Sequence, residues 1–148
     1  MMRSKRFEPI QEIATSSAKD LSKAMGDAAR RVADLERQFQ QLKTYRDEYV
    51  QNSTQGRGTM DAVKLQNYRS FLDRLGEAMR QHLGKLDNAR AEYEERRRRW
   101  SDKRVEAESL GRVIERFRKE ELKAVEQREQ REGDEAAMRI SLERARLP

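Results

Sequence analysis

The 148-residue chain is 41% charged and only 35% hydrophobic, and its 33 basic and 27 acidic residues leave a formal net charge of +6. So few apolar residues cannot fill the core of a thick globular domain, but they suffice for a narrow contact stripe between two helices. The near balance of opposite charges argues against a dedicated nucleic-acid-binding domain.

Cysteine is absent from the sequence, which excludes disulfides, thiolate chemistry and cysteine-based zinc sites. No apolar run approaches the roughly 20 residues that a membrane span requires. The basic segment 1–6 is not followed by the apolar stretch of a secretory signal. These features predict a cytoplasmic protein.

The first predicted element is a helix over about residues 9–52. It is expected to begin near Pro9, because proline is favoured in the first helical turn. Its apolar residues recur in a heptad repeat, the pattern of a coiled coil. The d positions are Ala14, Leu21, Ala28, Leu35, Leu42 and Tyr49, and the a positions are Ala18, Met25, Val32 and Phe39.

A turn is predicted over residues 53–59, where small polar residues and two glycines, Gly56 and Gly58, interrupt the repeat. Thr59 is the expected N-cap of a second helix, and Asp61 is placed to favour the dipole of its first turn.

The second helix is predicted over about residues 60–132, with a frayed tail at 133–148 that begins at Gly133. Its a positions are Leu65, Leu72, Met79, Leu86, Tyr93, Trp100, Ala107 and Ile114. Its d positions are Tyr68, Leu75, His82, Ala89, Leu110 and Phe117, with Arg96 and Lys103 as polar interruptions. Acidic residues four positions before basic ones support a solvated helix: Glu92–Arg96, Glu94–Arg98, Glu95–Arg99, Glu108–Arg112 and Glu115–Lys119.

A short connector between two heptad helices predicts an antiparallel hairpin. The fold class is therefore all-α, a long two-helix antiparallel coiled coil that forms one unit over residues 1–148. The helices would measure roughly 65 Å and roughly 110 Å, so helix two extends beyond helix one. With the turn centred near Gly56, residue 10 would pair with residue 103. An uncovered apolar stripe usually marks a partner-binding surface, and here it would comprise Leu110, Ile114, Phe117, Leu122 and Val125.

The sequence offers no constellation for catalysis or for a cofactor, a metal ion or a small-molecule substrate. His82 is the single histidine, and its d position favours a partly buried structural imidazole. Gly56 and Gly58 suit a turn and not a phosphate-binding loop. The run at residues 96–99 consists of four arginines, but the neighbouring acidic side chains favour a solvated helix face over a nucleic-acid or membrane contact. The sequence therefore predicts no enzyme.

The g positions beside the a/d stripe carry rings where coiled coils usually carry charges. The two g rows of an antiparallel pair face each other, so Tyr45 and Phe71 are expected to lie close together. Two interpretations remain open. The rings either widen the apolar stripe, or they form an aromatic docking patch of the kind that hot spots favour.

Three segments resemble the FliJ family of the bacterial flagellar type III export apparatus. They are residues 6–14 (RFEPIQEIA), the series Gln38, Leu42, Tyr45 and Tyr49, and residues 67–72 (NYRSFL), which lead to His82. The resemblance covers most of the chain. It implies an antiparallel coiled coil similar to the central γ stalk of rotary ATPases.

The resemblance also implies a stalk-like protein that binds the hexameric export ATPase and the membrane-embedded export gate protein, and that escorts substrate-specific export chaperones. Such a protein is cytoplasmic and associates peripherally with the inner membrane at the flagellar base. The gate-binding residues implied by position are Gln38, Leu42, Tyr45, Tyr49, Phe71, Leu75, Ala78 and His82. The ATPase would face the termini and the overhang at Leu110, Ile114 and Phe117. The alternatives are a chaperone that binds flagellar subunits directly and the equivalent stalk protein of a virulence secretion system.

Overall fold

A computed structural model describes residues 2–55 and 61–147, which form two long helices. Helix α1 spans Arg3–Gln55 and helix α2 spans Ala62–Arg146. They pack against each other in opposite directions, since Ala24 contacts Arg96 while Tyr49 contacts Tyr68. The described residues contain no strand, and the predicted all-α antiparallel coiled coil is confirmed.

Helix α1 begins at Arg3 and not near Pro9, which lies inside the helix. The predicted start was therefore wrong. Proline removes one backbone donor from a helix interior, but contacts of the preceding residues with α2 hold the earlier turns. Ser4 donates its backbone N–H and its hydroxyl to the carboxylate of Glu121, at 3.0 and 2.6 Å.

Helix α2 is capped by Asp61, whose Oδ1 accepts the backbone N–H of Lys64 at 2.7 Å. A carboxylate that accepts the N–H three residues later is an ordinary N-cap, so Asp61 has the role predicted for Thr59. Thr59 and most of the predicted turn lie outside the described residues, while residues 53–55 belong to α1.

The predicted frayed tail is also wrong, because α2 continues through Gly133 to Arg146. One glycine costs a helix roughly 1 kcal/mol relative to alanine. The surrounding glutamate, alanine and arginine residues are strong helix formers and offset this cost.

The contacts divide the described residues into two compact units. The mid-chain unit lies within Lys19–Ser101, and the terminal unit lies within Met1–Ala18 and Asp102–Pro148. The core of the mid-chain unit consists of predicted a and d residues: Ala28, Leu35, Leu75, Met79, Leu86 and Ala89 are all buried. The heptad repeat therefore identified the packed face of both helices.

In the terminal unit, α1 covers more of α2 than the predicted pairing allows. Gln11 Nε2 lies 2.8 Å from where a Cβ on Gly111 would stand, so this part of α1 packs beside residue 111 and not near residue 103. The predicted overhang is consequently wrong for three residues. Ile114 is 2% exposed, Leu110 is half-buried, and the ring of Phe117 lies 5.4 Å from that of Phe7.

Apolar residues further along α2 are exposed, as predicted. Leu122 is 59% exposed and Val125 is 36% exposed. The extension of α2 beyond the paired part of the terminal unit therefore begins after Glu121, and every described residue from 122 to 147 is exposed.

Candidate partner-binding surface

Four aromatic rings of the mid-chain unit form a continuous cluster between the helices. The rings of Tyr45 and Phe71 meet edge-on, with their centroids 6.0 Å apart. The centroids of the Tyr49 and Phe71 rings lie 4.3 Å apart. Tyr68 stacks on Tyr49 at 5.5 Å with an interplanar angle of 16°. The predicted proximity of Tyr45 and Phe71 is confirmed. Pairs of this geometry contribute more than the burial of their area alone.

The eight residues predicted to bind a partner differ in how much surface they offer. Tyr45 is 53% exposed, and Gln38 and Ala78 are also exposed. Leu42, Tyr49 and Phe71 are half-buried. We call these six residues the aromatic patch. Leu75 is 8% exposed, so it supports the patch from beneath and offers almost no surface.

His82, the eighth predicted residue, is half-buried and fixed by α1. Its Nε2 donates a hydrogen bond to the backbone carbonyl of Leu35 at 2.7 Å, and its ring stacks on Phe39 at 6.3 Å. Both contacts orient the imidazole between the helices. The geometry agrees with the structural role predicted for this histidine.

The charged side chain beside Ala78 is neutralised locally. Arg80 donates two hydrogen bonds to Glu77, at 2.7 and 3.1 Å. These bonds and the positive charge of Arg80 hold the pKa of Glu77 below its usual value. The edge of the aromatic patch at Ala78 is therefore bordered by an ion pair and not by an isolated carboxylate.

A comparison with protein families identifies the chain. The family model of the flagellar FliJ protein matches residues 3–146. The chain belongs to the FliJ family. Members of this family are components of the flagellar export apparatus. The family is not a known enzyme family. No curated protein and no solved structure matches the chain.

In this FliJ-family chain, the four consecutive arginines engage neighbouring acceptors. Arg96 donates to Glu92 at 2.6 Å and to the backbone carbonyl of Ala24 at 3.0 Å. The remaining ion pairs are Arg97–Glu94, Arg98–Glu95 and Arg99–Glu95. Of the five predicted acid–base pairs, Glu92–Arg96 and Glu95–Arg99 form as predicted, whereas Glu94 pairs with Arg97 and Glu108 with Arg104. This pairing favours the solvated-face interpretation of the run.

The flank formed by the e positions differs from the aromatic patch. Its groove of about 550 Å³ is lined by Phe39, Leu83 and Leu86, and an ion pair of 3.0 Å between Glu36 and Arg90 crosses it. Leu83 is 39% exposed. Since Leu83 is apolar and lies outside the aromatic patch, it provides a matched control position.

Within the described residues, no group of three or more histidine, aspartate or glutamate side chains could hold a metal ion. In the same described part of the chain, no helix is long and apolar enough to span a membrane.

Sequence reasoning missed the contact between Ser4 and Glu121. Glu121 stands seven residues after Ile114 and thus at an a position of α2. A charged residue at an a position is unusual and often fixes the register of a coiled coil. That charge was the available signal, but it indicated neither the partner nor the earlier start of α1.

Proposed function

We propose that the chain is a stalk-like coupling protein of the flagellar export apparatus, which contacts the export ATPase hexamer through one surface and the export gate protein through another. Its membership of the FliJ family supports a role in flagellar export over one in a virulence secretion system. The antiparallel two-helix fold supports a structural role, because it presents side chains along two long helices.

The gate is proposed to bind the aromatic patch. The observation that carries this proposal is the half-exposed ring of Tyr45, held edge-on against Phe71 beside Tyr49. A ring that is fixed in place loses little conformational entropy on binding, and tyrosine is enriched in interface hot spots. Leu75 and His82 are assigned a supporting role, because one is buried and the other is bonded to Leu35.

The ATPase is proposed to bind the terminal unit. Ile114 cannot contribute, because it is buried, so the proposed contacts move to exposed apolar side chains of the same unit. Ile10 is 48% exposed, Ile13 is 71% exposed and Leu122 is 59% exposed. Exposed apolar groups of this kind are common at protein–protein interfaces.

Escort of substrate-specific export chaperones, and a position at the cytoplasmic side of the inner membrane, complete the proposal. Both rest on family membership.

The gate assignment is tested with the double variant Tyr45→Ala/Phe71→Ala. We expect circular dichroism to show helicity like that of the wild type, and binding to the purified gate protein to weaken at least about 100-fold, since loss of hot-spot residues costs about 2 kcal/mol or more each. Leu83→Ala, which removes a partly exposed apolar side chain outside the patch, should bind normally. Normal binding by the folded double variant would refute the assignment.

A further inference from the structure

The first turns of α1 are held to α2 by a single turn of that helix. The hydrogen bonds, the ion pair and the ring contacts of this segment with α2 involve residues 117, 118 and 121, and on α1 they involve Arg3, Ser4, Phe7 and Glu8. We call residues 3–8 the N-terminal arm. Its attachment is therefore concentrated in one place.

The carboxylate of Glu121 makes the main polar contact that holds the arm against α2. Its two carboxylate oxygens accept the backbone N–H and the hydroxyl of Ser4, which is 4% exposed. The N–H groups in the first turn of a helix have no acceptor within that helix. Helix α1 has no acidic residue in its own first turn. Glu121 therefore supplies from α2 the capping carboxylate that α1 lacks.

Pro9 lies directly after the arm and interrupts the backbone hydrogen bonding of α1. Proline has no N–H, so the carbonyl of Lys5 cannot receive the usual helical hydrogen bond from position 9. The backbone connection between the arm and the rest of α1 is weakened at this point. Beyond Pro9, the buried Ala14 and the close approach of Gln11 to Gly111 hold α1 against α2.

We propose that residues 3–8 form a releasable arm. Pro9 is its hinge, and the carboxylate of Glu121 is the group that holds it against α2. In the closed position, the arm covers Phe117 with the ring of Phe7 and the guanidinium of Arg3, whose Cζ lies 5.8 Å from the ring centre. Opening separates these rings and adds Phe117 to the exposed apolar residues that follow on α2, Leu122 and Val125. The arm therefore controls how much apolar surface the terminal unit offers, whichever partner uses it.

The charges around Glu121 support this arrangement. The hydrogen bonds from Ser4 lower the pKa of Glu121 below its usual value, and the positive charges of Arg118 and Lys5 make smaller contributions in the same direction. Arg118 in turn pairs with Glu8 of the arm at 2.7 Å. The lowered pKa of Glu121 means that its carboxylate favours the closed arm at neutral pH. This preference is lost as the pH falls through the pKa of the closed state, because a protonated carboxyl no longer provides two acceptors.

The first test compares Glu121→Ala with the control Glu120→Ala, which makes the same charge change at an exposed neighbouring position of α2. Hydrogen exchange of the full chain is followed by mass spectrometry at pH 7. We expect the amides of residues 4–8 to exchange about tenfold faster in Glu121→Ala than in the wild type, while peptides from residues 62–100 keep their protection. In Glu120→Ala, both segments should behave like the wild type.

Unchanged exchange of the arm in Glu121→Ala would overturn the proposal, and so would an equal loss of protection along the whole chain, because the arm would then not open separately. The second test labels the four phenylalanines with fluorine. On acidification from pH 7 towards pH 3, the resonances of Phe7 and Phe117 should shift together while that of Phe71 stays in place. Glu121→Ala should remove this titration, and its persistence in that variant would contradict the role of Glu121.

Discussion

At the scale of single residues, the polar side chains within the apolar stripe have specific partners across the helices. His82 donates to the carbonyl of Leu35, and Arg96 donates to the carbonyl of Ala24. Both stand at d positions, where an unpaired polar group would be costly. Each contact joins an α2 side chain to the α1 backbone at a defined place. The polar d positions therefore help to specify the register of the pair.

His82→Ala should lower the free energy of unfolding by about 1–2 kcal/mol, because it removes one hydrogen bond and one ring contact. Urea denaturation followed by circular dichroism measures the change, and Gln81→Ala at an exposed neighbouring position is the control. Equal stability of the two variants would show that the contact with Leu35 contributes nothing.

At the scale of the helices, glycines test how closely α1 and α2 approach. A Cβ at Gly84 would meet no atom within 4 Å, whereas a Cβ at Gly111 would meet Gln11 Nε2 at 2.8 Å. The contacting atom is the end of a flexible side chain, so Gln11 can move at some cost. Gly84 thus reports helix propensity alone, and Gly111 reports propensity and packing together.

Gly84→Ala should raise the free energy of unfolding by about 1 kcal/mol, the difference in helix propensity between the two residues. Gly111→Ala should give a smaller gain, because Gln11 must leave its position. Chemical denaturation of both variants measures the difference. If Gly111→Ala stabilised the chain as much as Gly84→Ala, the close packing of α1 on residue 111 would be incorrect.

The sequence predicted the elements better than their ends. Residues such as Leu35, Leu86 and Ala89 were found because a heptad repeat determines which face of a helix is apolar. Pro9 and Gly133 misled the prediction, because local propensity is weak compared with contacts from another helix or with strong neighbouring helix formers. The pairing of Ile114 was missed because it depends on the register of the two helices. A heptad repeat fits equally well when one helix is shifted by seven residues, so the repeat alone does not determine the register.

The sequence predicted which rings of the aromatic patch would meet, but not how much surface each residue would offer. The g rows indicated that Tyr45 and Phe71 would meet, and they do. Burial of Leu75 and the hydrogen bond of His82 depend on how the two helices settle against each other. These details separate the exposed residues of the aromatic patch from the buried residues that support them.

At the scale of the whole molecule, the chain belongs to the FliJ family, whose members are components of the flagellar export apparatus. Many of its charges are paired within one helix, as in Arg80–Glu77 and Arg96–Glu92. Exposed pairs of this kind add little stability, but they leave the aromatic patch and the exposed apolar residues of the terminal unit as distinctive surfaces. The proposed coupling function assigns a different partner to each of these surfaces.

The proposed coupling role is tested by capture of the chain with its partners from cross-linked native cells. The wild type should recover both the export ATPase and the gate protein. The Tyr45→Ala/Phe71→Ala variant should recover the ATPase at the wild-type level and lose the gate protein. Recovery of the gate protein at the wild-type level by the folded variant, or of neither partner by the wild type, would contradict the proposed coupling role.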